Sequence, residues 1–293
     1  MKAFFLIGVL IFSNLALACP IEDETKLNSQ NQSFGMLSLL EARESNVTLD
    51  VYNSIFEKVR SVYTPIFKTA GFELLLESNW SDNSLQAYAT NKVRNPNRRK
   101  IYVSGGFARR GFMTRDSLLM TICHEVGHHL GGYPKKPEIT WGPSSEGQAD
   151  YYATAKCMKL VLETELEENK LAADSALIPE YLRDECSKQF PSKSGQDLCV
   201  RLAFASEQKA KFYIHEDLEF VIRLGNFADS IVDTMNYDHP HAKCRMTTMY
   251  QGALCNVDPR IPFSNSEEVT GACHKKNGDE LGLRPQCWFL PQE

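Results

Sequence analysis

Five consecutive residues, His124-Glu125-Val126-Gly127-His128, concentrate the chemistry of this 293-residue chain. On an α-helix, residues four apart share a face, so the two imidazoles can converge on one cation. Two ligands leave a metal site incomplete. A hydrolytic zinc site takes three protein ligands and keeps a fourth position open for the reacting water. The third ligand has to come from another element, and Glu146, which opens Glu146-Gly147-Gln148-Ala149-Asp150, is placed to supply it. Asp150, one turn further along the same face, can accept the remaining imidazole N–H of a histidine ligand and fix its tautomer. Glu125 then has the position of a general base that takes a proton from water and returns it to a leaving amine. The developing oxyanion needs a second donor besides the metal. His239, in Asp238-His239-Pro240-His241, is the candidate for that donor or for a regulatory contact with the metal, and His241 is the fallback.

The elements that must position these residues follow from periodicity. Apolar residues from Leu49 to Phe67 recur at helical spacing and predict an amphipathic helix over Thr48 to Ala70, stopped by Gly71. Three strands are expected at Phe72 to Glu77, Leu85 to Thr90 and Lys100 to Ser104, in a mixed sheet, with Gly105 and Gly106 ending the third. Thr114 or Asp116 can cap the helix that carries the histidines, and Gly131 and Gly132 terminate it. Ser144 or Ser145 can cap the next, from near Glu146 to about Asn169. Beyond it the chain is helical in pattern to Cys255, with loops around 191–195 and 236–240, and irregular from Pro259 onward. The acidic run Glu163 to Glu168 suits a solvated helix face. His129, about 100 degrees around the helix from His128, suits packing or solvent rather than the metal. His215 and His274 stand alone and suit the surface. Cys123 projects from a different face than His124 and suits a disulfide or a buried thiol.

The combination of HExxH, the ExxAD at Glu146 to Asp150, and a His-Pro followed five residues later by Arg245 resembles the gluzincin peptidases related to the CAAX prenyl endopeptidase and the bacterial heat-shock metallopeptidase. Leu85-Gln86-Ala87-Tyr88-Ala89 and Ile101-Tyr102-Val103-Ser104-Gly105-Gly106 resemble that family's edge strand and the strand leading to its active-site helix. The resemblance runs in order of elements from Phe72 to Cys255. It implies that an extended substrate segment adds to the edge strand, with Gln86, Ala87 and Tyr88 in the substrate groove. Two features depart from the pattern. The chain lacks the membrane helices of the best-known members, so their membrane-embedded substrates do not carry over. Gln86 also stands where the family usually has asparagine, and the cysteine-rich end suits the exported, soluble members.

The amino terminus supports export. Lys2, the apolar run Ala3 to Phe12 and the small-residue triplet Ala16-Leu17-Ala18 before Cys19 form a secretory signal, with no later stretch near the ~20 apolar residues of a membrane span. The same stretch can be read as a lipobox with Cys19 as the lipidated first residue, and both readings stand. Nine cysteines in an exported chain imply disulfides, and removing Cys19 leaves an even number, which favours lipidation. Short separations suggest Cys186–Cys199, Cys244–Cys255 and Cys273–Cys287. The net charge of −5 argues against a nucleic-acid partner.

The expected architecture is an α+β, minigluzincin-like zincin. It comprises a signal at 1–18, a polar tether at 19–35, a metallopeptidase domain at 36–258 with a mostly helical second half, and a disulfide-bonded tail at 259–293. Its expected function is that of an endopeptidase with one zinc ion per chain, cleaving extended or unfolded protein segments in the periplasm, at the outer membrane or outside the cell. The alternative is a zinc-stabilised chaperone or binding module that holds such segments without cutting them.

Overall fold

The computed structural model describes residues 45–139, 142–213 and 222–292. The expected signal at 1–18, Cys19 with its expected lipidation, the expected tether at 19–35 and His215 lie outside the described residues.

The first helix, α1 (Leu49–Thr69), is capped by the Thr48 hydroxyl, which accepts from the Val51 N–H. Its residues Tyr52, Ile55, Phe56, Val59, Tyr63 and Phe67 are buried at spacings of three and four. Each such side chain contributes on the order of 1.5–3 kcal/mol of apolar burial. The Tyr52 hydroxyl donates to the carbonyl of Val103 and accepts from the Asn79 amide, which pins the helix to the sheet. That sheet has three strands, β1 (Glu73–Asn79), β2 (Ala87–Thr90) and β3 (Arg98–Ser104), in the order β1-β3-β2. β1 runs parallel to β3 and β2 antiparallel to it, so the sheet is mixed as the sequence predicts. Gly105 and Gly106 end β3, as expected, and open a single helical turn, α2 (Gly105–Ala108). The backbone of Trp80 and Asn83 comes so close that a Cβ at either glycine would meet it at 2.0 and 2.4 Å.

Helix α3 (Arg115–Leu130), capped by Thr114, is buried from Ser117 to His128 and packs against α1, the sheet and the helices that follow. A helix buried on nearly every side forms the centre of the molecule. Next come α4 (Glu146–Tyr152), capped by Ser145, a π-helical turn (Ala153–Cys157) and α5 (Met158–Leu162). The single helix expected to reach Asn169 therefore ends at Leu162, and α6 (Leu166–Ala173) is a separate element. Helices α7 (Glu180–Gln189), α8 (Lys193–Lys211) and α9 (Ala242–Leu254) complete the fold. The second half is helical up to Lys211, but residues 222–241 are irregular, and among the described residues after α9 only the short turn Lys275–Asn277 is helical. No described helix is long and apolar enough to cross a membrane.

Among the described residues four disulfides join Cys123–Cys157, Cys186–Cys199, Cys244–Cys287 and Cys255–Cys273. This number of pairs is consistent with an exported protein. The expected Cys186–Cys199 bridge is present, but the expected Cys244–Cys255 and Cys273–Cys287 pairings are not. Cys244 and Cys255 mark the two ends of α9, and eleven residues of helix hold their Cα atoms roughly 16 Å apart, beyond the reach of one bridge. Each pairs instead with the tail. Trp288 and Phe289 from that tail are buried at 0% and 2% exposure, so the tail is part of the packed body. His274 also departs from expectation: it is 8% exposed and its Nε2 lies 3.1 Å from a Glu268 carboxylate oxygen.

Glu165, expected on a solvated face, is 8% exposed and receives Lys58, Arg115 and Arg201. Burial alone raises its pKa, but the three cations outweigh it and hold the carboxyl at about 2. The stabilisation from these pairs is therefore complete above the ordinary value of 4.5 and is lost as the pH falls towards about 2. Glu165→Gln is accordingly expected to lower the urea midpoint clearly at pH 7 and much less at pH 2.5. An equal loss at both pH values would contradict the ionic role.

Candidate metal centre

Two helices meet at the centre through an absent side chain. At Gly127 on α3, a Cβ would stand 2.9 Å from the Cα of Ala149 on α4, so glycine is what lets the two backbones approach. That approach brings His124, His128 and Glu146 together, with one ligand atom of each within 4.8 Å of the others and all three residues buried. Glu146 Oε2 lies 3.1 Å from His124 Nε2 and 3.5 Å from His128 Nε2. A tetrahedral ion with bonds of ~2.0–2.1 Å spaces its ligands about 3.3 Å apart, so these separations fit.

The opposite nitrogens are fixed. His124 Nδ1 is 2.8 Å from Asp150 Oδ1 and His128 Nδ1 is 2.9 Å from the carbonyl of Ser144, partners that can only accept. Each Nδ1 therefore carries a proton, which leaves each Nε2 facing the cluster as the atom that would bind an ion. Asp150 is held in turn by Arg245 on α9, which donates from Nε at 2.7 Å and from Nη2 at 2.9 Å. Burial opposes the charge on Asp150, but Arg245 and His124 outweigh it and hold the carboxyl well below its usual range. Burial likewise opposes charge on His124, yet Asp150 and Glu146 push its pKa up to about 9. The unliganded cluster is thus a strong proton site, and a metal has to displace that proton.

Glu125 is 0% exposed, and both its carboxylate oxygens, like His128 Nε2, are buried without a hydrogen-bond partner among the described residues. Unsatisfied buried polar atoms are costly, and a cluster of them beside three convergent ligands fits a bound cation and the water it would carry. The residues present fit a metal ion.

His239 also reaches the cluster, its Nε2 3.0 Å from Glu146 Oε2, while His241 is exposed and caps α9 by accepting from the Lys243 N–H. The loop bearing His239 is tied down at three points. Tyr237 O accepts from Glu146 N, Trp288 O from Asn236 N and Gln286 O from Val232 N. Trp288 further packs on Gly147, where a Cβ would approach the indole to 2.2 Å. The tail thus supports both Glu146 and His239, a role its composition does not reveal. Lys136 is a second contributor missed in the sequence: its ammonium lies 3.0 Å from the other oxygen of Glu146. It sits in a proline-punctuated loop with no motif to mark it. His129 turns from the cluster, as expected, and packs edge-on against Phe67.

Gln86, Ala87 and Tyr88 occupy the start of β2 and the residue before it, on the sheet edge that packs against α3. Ser104 N donates to Gln86 O at 2.9 Å, so the alternation of an antiparallel pair turns the amides and carbonyls of Ala87 and Ala89 away from β3. All four residues of β2 are buried, so a substrate strand reaches this edge only if part of the chain moves aside.

Fold and cluster together define an α+β protein with a buried His-His-Glu group able to hold a metal ion. No protein-family model, curated protein or solved structure compared with the chain matches it.

Asp150→Asn keeps the shape of the side chain but removes the charge that orients His124. It is expected to weaken Zn2+ or Co2+ binding roughly 10- to 100-fold, measured by competition with a chromophoric chelator, with the circular-dichroism spectrum unchanged. Unaltered affinity would show that His124 is positioned by something else.

Proposed function

We propose that this protein is a zinc-dependent endopeptidase, similar in design to the soluble gluzincins, that cleaves extended or unfolded protein segments outside the cytoplasm. The observation that carries this reading is Glu125: a buried carboxylate with both oxygens unpartnered, on the same helix as two convergent imidazoles. A structural site needs no such group, because an unpaired buried carboxylate is costly to maintain.

His124, His128 and Glu146 would hold the zinc, leaving one position open, as catalytic sites do. A bound zinc ion supplies Lewis acidity, which polarises a carbonyl and makes water acidic enough to deprotonate near neutral pH. Glu125 takes the proton from the attacking water and passes it to the amine as the peptide bond breaks. His239 donates from Nε2 to the oxyanion, a role that requires it to leave its contact with Glu146. The outward-facing backbone groups of Ala87 and Ala89 pair with the substrate strand, which explains a preference for extended or unfolded segments. Since Glu125 and β2 are covered, opening precedes binding, and turnover includes that conformational step.

The binding-module reading keeps the same metal and groove without cleavage, and the closed site gives it some support. The two separate on one comparison. Parent, Glu125→Gln and Glu146→Ala are each assayed for zinc content and for cleavage of unfolded casein. Glu125→Gln is expected to retain one zinc and lose at least ~10²-fold in rate, while Glu146→Ala loses both metal and activity. Full zinc occupancy with no cleavage by the parent would select the binding module.

A further inference from the structure

Behind the metal helices, and lined by none of the cluster residues, is a cavity of about 950 Å³ between the C-terminal half of α1, the end of α3, α5 and the segment 259–265. This volume is at the upper end of the ~300–1,000 Å³ typical of small-molecule sites. Its walls are apolar, with Ile66, Phe72, Leu130, Leu160, Ile261 and Phe263 among them. Polar side chains interrupt them, His129, Glu163 and Arg260 included, and the most deeply buried cation is Lys156. Lys156, in the π-helical turn, is 1% exposed, yet its ammonium makes a single hydrogen bond, to the carbonyl of Asp258 at 3.0 Å, and sits 4.9 Å from the Phe263 ring centroid.

An ammonium has three donors, and a cation taken out of water is stabilised only by a charged or strongly polar partner. Lys156 forms no ion pair among the described residues. The other cation at the cavity, Arg260, is already matched by Glu163, with Nη2 at 2.6 and 2.8 Å from the two carboxylate oxygens. The buried charge is therefore left for a ligand, and the apolar walls require that ligand to be mostly hydrocarbon. Burial lowers the Lys156 pKa to about 8, and the Arg284 guanidinium adds to that, while the Asp258 carboxylate opposes it from beyond ion-pair distance without restoring the ordinary value.

We infer that this cavity binds a medium-chain alkyl carboxylate, with the carboxylate on the Lys156 ammonium and the chain along Ile66, Phe72, Leu130 and Leu160. The inference does not depend on the peptidase reading, because no metal ligand and no part of β2 lines the cavity. Leu130 ends the helix that carries His124 and His128, and Tyr152, which also lines the cavity, ends the helix that carries Glu146.

The test is calorimetric titration of the intact, disulfide-bonded protein with decanoate and with decanol, both below micellar concentration. Saturable 1:1 binding of decanoate, at least tenfold tighter than decanol, is expected. K156M should reduce decanoate affinity to the decanol level without affecting decanol, and I66W, which fills the cavity, should abolish binding of both. The melting temperature of each variant reports its folding. If K156M fails to fold, the decanoate-to-decanol ratio in the parent decides the anion recognition and I66W decides the location. Absence of saturable decanoate binding, equal affinity for the two ligands, or binding that I66W leaves intact would overturn the inference.

Discussion

A single buried carboxylate joins the three helices on which the site depends. Asp150 on α4 accepts from His124 on α3 through one oxygen and from Arg245 on α9 through both. Asp150 and Arg245 are 1% and 2% exposed, so neither can be stripped of its partner and rehydrated in place. Removing one member of such a pair costs on the order of 3–5 kcal/mol, even where the pair as a whole adds little net stability. Its value is in specification: the arrangement satisfies all three groups only when α3, α4 and α9 meet at this geometry. The glycine at 127 permits the approach, and the Cys123–Cys157 bridge ties α3 to the turn that follows α4. In the chain-entropy account, a bridge closing 34 residues contributes roughly 3–4 kcal/mol.

The parts legible in the sequence were those governed by local rules. A helical period predicts α1 to within a residue at each end, and serine and threonine caps place the starts of α3 and α4. The spacing of His124 and His128 specifies a shared face, and the structure brings Glu146 to it. Relations across the chain were not legible. Loop length favours Cys244–Cys255, but helix rigidity forbids it, and the rule that decides is visible only once α9 is known to be unbroken between them. Glu165 reads as one of several surface acids because its three cationic partners come from α1, α3 and α8. Lys136 and Trp288 act on Glu146 from a loop and a tail that carry no periodic signal.

The tail illustrates why composition misleads. It is rich in proline, glycine and cysteine and nearly devoid of regular structure, yet Arg284 donates to Gln148 on α4 at 2.7 Å, and Gln148 in turn donates to the carbonyl of Gly131 at the end of α3. Irregular chain can support a site as rigidly as a helix when its backbone groups and side chains are matched by partners. Here it braces the element that carries Glu146 and the loop that carries His239, while the apolar cavity lies against the other side of the same helices.

Whether His124, His128 and Glu146 together hold one metal ion is read from X-ray absorption at the zinc edge, recorded on protein loaded with one equivalent of zinc. Four light-atom neighbours at ~2.0–2.1 Å with the multiple-scattering pattern of two imidazoles are expected. A sulfur shell near 2.3 Å, a spectrum without imidazole scattering, or failure to retain the ion at all would contradict that ligand set.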